Sequence, residues 1–220
     1  MLRDGDRGVV LQRDGKTYAI APHLPCGLVT AGLLRKLADA AEKYGATLKV
    51  TSAERIALVG IKPEDVDAIW AALGEKPGYM VGNRVRSVKA CPGTHFCKRA
   101  RQDSLGVGLE LDKRYIARAT PGKMKLGVSG CPNQCAETAI KDIGLVGGAR
   151  GWQVLVGGNG GTCPRLAKTL TDGEVSTERA LELVEQIMAF YEKTGQRDER
   201  LGETINRVGM PALKKALGLV

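Results

Sequence analysis

Aromatic side chains are scarce, with two Phe, two Trp and five Tyr in 220 residues. Proteins that hold single-stranded nucleic acid stack bases on such rings, so the net charge of +9 points to another kind of anion. No zinc-finger or RNA-binding motif is present either. No apolar run is long enough to span a bilayer, and Met1-Leu-Arg-Asp-Gly-Asp-Arg7 has no apolar signal-peptide core. The expected location is the cytoplasm, where thiols stay reduced. Gly157-Gly-Asn-Gly-Gly161 is not followed by Gly-Lys-Ser/Thr, which excludes a phosphate loop. No flavin or nicotinamide fingerprint occurs, so electrons used by this chain come from a separate carrier.

What is present is a core-forming composition, 43% hydrophobic, in a length suited to one or two domains. Residues 9–21 read as a hairpin turning at Arg13-Asp-Gly-Lys16. Thr30 caps a helix over 31–44 that Gly45 stops, with Leu33, Leu34, Leu37, Ala38 and Ala41 as its apolar stripe. Strands follow over 48–51 and 55–59. Pro63 opens a helix whose inner face is Val66, Ile69, Trp70 and Leu73. Gly74–Gly82 is the expected linker. Beyond it the pattern predicts an extended segment over 84–89, a helix over 102–119, and a strand over 123–128. A short helix is expected over 134–141, then apolar segments at 143–146 and 152–156. A Ser176-capped helix over 177–193 and two shorter helices near 199–207 and 211–217 finish the chain.

Six cysteines in a reducing compartment suggest metal ligands before disulfides. Four of them form two close pairs, Cys91-Pro-Gly-Thr-His-Phe-Cys97 and Cys131-Pro-Asn-Gln-Cys135. The first pair is wider than structural zinc sites prefer, whereas iron–sulfur clusters need four thiolates and accept varied spacings. Zinc, a disulfide and free thiols remain as alternatives. The second pair is expected at a helix N-terminus, where the dipole favours thiolate. The same region concentrates charge. From Arg84 to Lys125 there are eleven Lys and Arg against three Asp and Glu, nearly the whole excess of the chain.

These motifs, Cys-Pro-Gly-x-x-x-Cys and Ser129-Gly-Cys-Pro-Asn-x-Cys-Ala136, resemble the signature of the sirohaem-dependent sulfite and nitrite reductases. The chain length is similar to the small, single-unit, assimilatory-type sulfite reductases. Val156-Gly-Gly-Asn159 and Arg200-Leu-Gly-Glu-Thr-Ile-Asn-Arg207 extend the likeness. The resemblance implies an α+β fold. A ferredoxin-like half-domain over 1–79 would precede an α/β sirohaem and [4Fe–4S] domain over 80–220. It also implies that Cys91, Cys97, Cys131 and Cys135 hold the cluster, with Cys135 bridging to the sirohaem iron. The implied reaction is six-electron reduction of sulfite to sulfide, with nitrite to ammonia as the alternative. A non-catalytic sirohaem and iron–sulfur relay, or a zinc-stabilised nucleic-acid module, are the readings from other classes.

Reducing an oxyanion calls for cations that bind it and assist loss of its oxygens. Lys123 and Lys125 alternate on a predicted strand, so both point to one face. An alternating basic pair within an apolar strand is costly without an anion. In the family a Lys-x-Lys on the corresponding strand faces substrate, and Arg86 matches a substrate-facing Arg. The family's Thr-Thr-Arg-Gln stretch reads Thr51-Ser-Ala-Glu54 here, with Ala53 at the Arg position and Arg55 as the expected substitute. Lys98, Arg99, Arg101 and Arg165 are candidates to neutralise the sirohaem carboxylates. Asn133 and Asn159 are candidate cofactor or loop contacts. His95 and His23 are expected as loop residues, and Cys26 and Cys163 as small buried ones. Expected partners are sulfite or nitrite and an acidic ferredoxin, with neither nucleic acid nor membrane. A monomer or small homo-oligomer is expected, with Arg86, Lys123 and Lys125 serving their own chain's haem.

Overall fold

The computed structural model describes residues 2–220. The chain divides into two compact units, the first ending at Gly82 and the second running Asn83–Val220.

The first unit is a four-stranded antiparallel sheet with two helices. Strands β1 (Val10–Leu11) and β2 (Tyr18–Ile20) form the hairpin. Asp14 in its turn accepts from the N–H groups of Lys16 and Thr17. Helix α1 (Ala31–Tyr44) begins where Thr30 Oγ1 accepts from the Leu33 N–H at 3.1 Å and ends at Gly45 with φ 64°. Strands β3 (Thr47–Val50) and β4 (Ile56–Ile61) and helix α2 (Val66–Leu73) complete the unit, in sheet order β1-β2-β4-β3. Leu33, Leu37 and Ala40 of α1 join Val66, Ile69 and Leu73 of α2 in one core with Ile20 and Leu58. Leu34 and Ala38 are exposed instead. The buried row is Leu33, Leu37, Ala40, and the next residue round the helix turns about 100° away from it. The 74–82 segment is no loose linker. Gly78 N–H donates to the Ala21 carbonyl at 2.7 Å, and Pro22 bridges Pro77.

The second unit carries strands β5 (Val85–Ala90), β6 (Met124–Ser129), β7 (Ile143–Gly147), β8 (Trp152–Val156) and β9 (Lys168–Thr169). They lie in that order, the first three parallel and the last two antiparallel. Between β5 and β6 lie the single turn α3 (Gly93–Phe96) and helix α4 (Ser104–Tyr115). Asp103 caps α4 by accepting from Gly106 N–H at 2.8 Å, and left-handed Ala117 (φ 66°) ends that stretch before 119. Helices α5 (Thr177–Thr194), α6 (Leu201–Val208) and α7 (Met210–Ala216) close the chain, and Ser176 caps α5.

Along β6, Met124, Leu126 and Val128 are buried, while Lys123 and Lys125 are half-exposed on the opposite face. Gly127 and Gly144 let chain lie directly on that face. A Cβ at Gly127 would stand 2.8 Å from Lys141 Cγ, and one at Gly144 2.6 Å from the Thr138 carbonyl oxygen.

The expected helix over 134–141 does not form. Gln134 (φ 50°) and Glu137 (φ 56°) are left-handed, so the chain makes consecutive turns and a short 3-10 segment at Thr138–Ile140. A continuous helix there would not fold back over Gly127 and Gly144. Consequently Cys131 and Cys135 do not sit at a helix N-terminus, and no helix dipole acts on them.

Candidate functional site

The three parallel strands have two chemically different ends. At their C-terminal ends stand the thiols. Cys91 follows β5 immediately and donates its N–H to the Val128 carbonyl at 3.1 Å, while Cys131 follows β6 after Gly130. Register pairs Ala90 with Val128, so the two motifs leave adjacent strands side by side. Ligand sites in open α/β sheets favour this end.

The loops are fastened to each other. Gly130 N–H donates to Cys91 Sγ at 3.2 Å. Ser104 Oγ lies 3.1 Å from the same sulfur and donates to the Cys91 carbonyl at 3.0 Å. The Gly130 carbonyl accepts from Arg101 N–H at 2.7 Å and Gln102 N–H at 3.1 Å. A Cβ on Gly130 would stand 2.7 Å from the Gln102 carbonyl oxygen, so only glycine lets the motifs meet. All six cysteines are free; Cys131 is buried, Cys91 and Cys97 half-buried and Cys135 exposed. Cys163 is exposed as well, contrary to its expected burial, because its loop runs outside the sheet. Cys26 is buried.

The N-terminal ends of the same strands carry cations. Arg86 of β5 and Lys123 at the start of β6 are joined by a residue that the motifs did not flag, Arg200 at the N-cap of α6. Burial pulls the Arg86 guanidinium below its ordinary range, and neighbouring Arg200 and Arg84 add to it. Burial likewise lowers the Lys123 amine, helped by Arg200 and Arg86 and opposed by Asp142. Lys125 lies on the Lys123 face and donates its backbone N–H to Asp142 Oδ2 at 2.8 Å. Gly122 makes the convergence possible. A Cβ there would stand 2.3 Å from the Glu199 carbonyl oxygen, so the chain leading to Arg200 passes against the residue before Lys123. The signal in the sequence was Arg200-Leu-Gly-Glu itself, a quoted likeness to the family without a role attached.

Between the ends lie two further lysines that motif reasoning passed over. Lys89 and Lys141, both nearly buried, share Glu137 at 3.3 and 2.9 Å. The hydrogen bond from Lys141 holds the Glu137 carboxyl below its usual range. The strand β6, six residues at about 3.3 Å each, spans roughly 20 Å of backbone, and the segment after Cys131 returns along its face to Asp142, whose N–H donates to the Lys125 carbonyl.

The remaining candidates are spread more widely. Lys98, Arg99, Arg101 and Asn133 are exposed on the cysteine loops. Asn159 donates to the Cys163 carbonyl at 3.0 Å and accepts from Gly161 N–H and from Arg200, so it holds its own loop and Arg200. Arg165 pairs with Asn159 through the backbone. His95 contacts Asp103 at 3.0 Å. Arg55 belongs to the first unit, where its Nη2 donates to the Tyr79 carbonyl at 3.2 Å.

Residues 81–220 match the family description "Nitrite and sulphite reductase 4Fe-4S domain", and residues 10–76 match "Nitrite/Sulfite reductase ferredoxin-like half domain". The chain is 40% identical over 217 residues to an assimilatory-type sulfite reductase of Nitratidesulfovibrio vulgaris, covering 98% of this chain and 99% of that one. It is 39% identical over 208 residues to the nitrite reductase [NAD(P)H] of Bacillus subtilis, covering 94% of this chain but only 26% of that protein. Among solved structures, dissimilatory sulfite reductase I superposes with a TM-score of 0.82 at 17% identity, over 93% of this chain and 69% of the other. The NirA protein of Mycobacterium tuberculosis gives 0.80 at 21% identity, over 99% and 43%. At such identities these structures speak for the fold alone. The family matches and the 40% identity along nearly the whole chain carry more: the protein belongs to the nitrite and sulphite reductase family.

Proposed function

We propose that this chain is a sulfite reductase taking sulfite to sulfide with six electrons, and that it accepts nitrite as a second substrate. It is an oxidoreductase of the sirohaem-dependent family, with sirohaem and a [4Fe–4S] cluster as its cofactors. Cys91, Cys97, Cys131 and Cys135 would hold the cluster, and Cys135, the exposed one, would also hold the sirohaem. When bound, these groups supply the electrons to the substrate atom. The fit rests on the fastened thiol loops, with the Gly130 N–H aimed at Cys91 sulfur, carried on the same strands as the cations.

The observation that carries the substrate class is the cation cluster. Arg86, Lys123 and Arg200 repel one another in a partly buried setting, a cost that an oxyanion relieves. Arg86 keeps its charge throughout and orients the anion. Lys123, its amine shifted toward neutrality, donates a proton from Nζ to a departing oxygen. Lys125 shares its face and adds attraction. Exposed Lys98, Arg99 and Arg101 beside the thiols suit an acidic one-electron carrier such as a ferredoxin. We assign Arg86, Lys123 and Lys125 to the haem of their own chain; activity that vanishes on dilution to monomer would contradict that assignment.

The test is oxidation of reduced methyl viologen by holo-protein, with sulfite and nitrite compared. Sulfite-dependent oxidation with sulfide as product is expected. Nitrite as the much better substrate would favour the second reading, for which the Bacillus subtilis likeness speaks. Coloured protein inert toward both would leave only an electron relay.

A further inference from the structure

Asp142 is fully buried and has no part in the assignment above. It precedes β7 and is tied to three neighbours. Its N–H donates to the Lys125 carbonyl at 3.0 Å, and its carbonyl accepts from Gly157 N–H at 2.7 Å. Its carboxylate accepts the Lys125 N–H and, fork to fork, Arg200 Nε at 2.8 Å and Nη2 at 2.6 Å. The third arm, Arg200 Nη1, donates to Asn159 Oδ1 at 3.1 Å. Held by three bonds and 12% exposed, this guanidinium has one orientation.

A buried ion pair adds little stability over an apolar pair of the same shape, so its placement is the informative part. The fork brings a permanent charge from α6, 58 residues away in sequence, beside Arg86 and Lys123. The Asp142 carboxylate offsets the Arg200 charge.

We propose that Asp142 is a positioning residue that fixes Arg200 within the Arg86–Lys123 cluster, where Arg200 binds the oxyanion substrate directly. This rests on the assignment of that cluster to substrate. The charged groups acting on Lys123 are Arg86 of β5, Asp142 before β7 and Arg200 of α6, with Arg84 acting on Arg86 and Lys125 two residues on along its own strand. Among those acting on it, Asp142 alone raises the Lys123 pKa, whereas Arg200 and Arg86 lower it. Removing Asp142 or Arg200 should therefore move the ionisation of Lys123 in opposite directions.

The experiment is calorimetric titration of oxidised holo-protein with sulfite, without reductant, across the alkaline range where sulfite is fully ionised. Affinity falls there as Lys123 loses its proton. Arg200→Met should weaken binding on the order of tenfold and move that fall to higher pH. Asp142→Asn should move it to lower pH. Arg200→Lys keeps the charge but loses the fork, so binding weakens several-fold while the fall stays put. Wild-type affinity in Arg200→Met, or shifts of the same sign in Arg200→Met and Asp142→Asn, overturns the proposal. If Asp142→Asn does not yield folded holo-protein, the Arg200 pair decides: Met shifted and Lys unshifted supports it, neither shifted overturns it. Lys123→Met is measured alongside. Unchanged affinity there defeats the underlying cluster assignment, whereas a weakened Lys123→Met with unaffected Arg200 variants defeats only the role of Arg200 and Asp142.

Discussion

The thiol end and the basic end of the same three strands are built differently. At the thiol end the chain supplies everything from two short motifs on adjacent strands, and backbone groups do most of the fastening: Gly130 N–H on Cys91 Sγ, and the Gly130 carbonyl on Arg101 and Gln102. At the basic end the chemistry comes from side chains gathered over a long stretch, Arg86, Lys123, Asp142 and Arg200. A local, backbone-held site tolerates changes elsewhere but not in its own glycines. A side-chain-held site depends on the distant segments that deliver its members.

This contrast can be broken one end at a time. The largest effect is expected from Cys135→Ser, which should abolish reductase activity and remove or alter the visible spectrum. Activity at the wild-type level would mean that the exposed thiol is not a ligand. Next comes Lys123→Met, expected to lower kcat/KM for sulfite on the order of a hundredfold while the visible spectrum persists. A bleached Lys123→Met protein would join the two ends that the account keeps separate.

Two glycine substitutions sharpen the comparison further. Gly130→Ala places a Cβ 2.7 Å from the Gln102 carbonyl oxygen; purified protein should carry less iron and labile sulfide, with sulfite binding retained. Gly122→Ala places one 2.3 Å from the Glu199 carbonyl oxygen. It should displace the Arg200 segment, raising KM for sulfite several-fold at unchanged iron content. Iron assay and steady-state kinetics on the pair distinguish the ends, and the same loss in both variants would contradict the division.

The smallest effect concerns the frame of the basic end. Glu199 accepts from Arg207 Nε and Nη2, each at 2.8 Å, and from Gln196 N–H and Thr204 Oγ1. These bonds, that from Arg207 first, pull its carboxyl down to about 2. A lowered carboxylate pKa stabilises the fold above the ordinary carboxylate range and loses that contribution as pH falls toward the folded value. Thermal unfolding should show Glu199→Gln less stable than wild type at neutral pH, with the difference shrinking in acid. A difference independent of pH would assign the effect to packing.

The same contrast explains what was legible beforehand. Thr30, Gly45 and Ser176 announced their helix ends because a cap is a local device, and the cysteine motifs announced the thiol end. The helix expected over 134–141 was wrong because Gln134 and Glu137 adopt left-handed backbone, for which neither side chain carries a cue. Leu34 and Leu33 are alike in composition, and only the packing of α1 decided which was buried. Arg200 could not be placed at the site from its neighbours in sequence, since Gly122 and Asp142 bring it there through tertiary contacts. Lys123 and Lys125 were readable because strand alternation is a local rule.

The central claim is that cations at one end act on an oxyanion reduced with electrons delivered from the other. Its most direct test is the rate of sulfite-dependent oxidation of reduced methyl viologen by wild-type protein and Lys123→Met, matched for iron and visible absorbance. The account predicts sulfide production by the wild type and a loss on the order of a hundredfold in kcat/KM in the variant. Equal rates in the two proteins, or a coloured wild type inert toward both sulfite and nitrite, would contradict it.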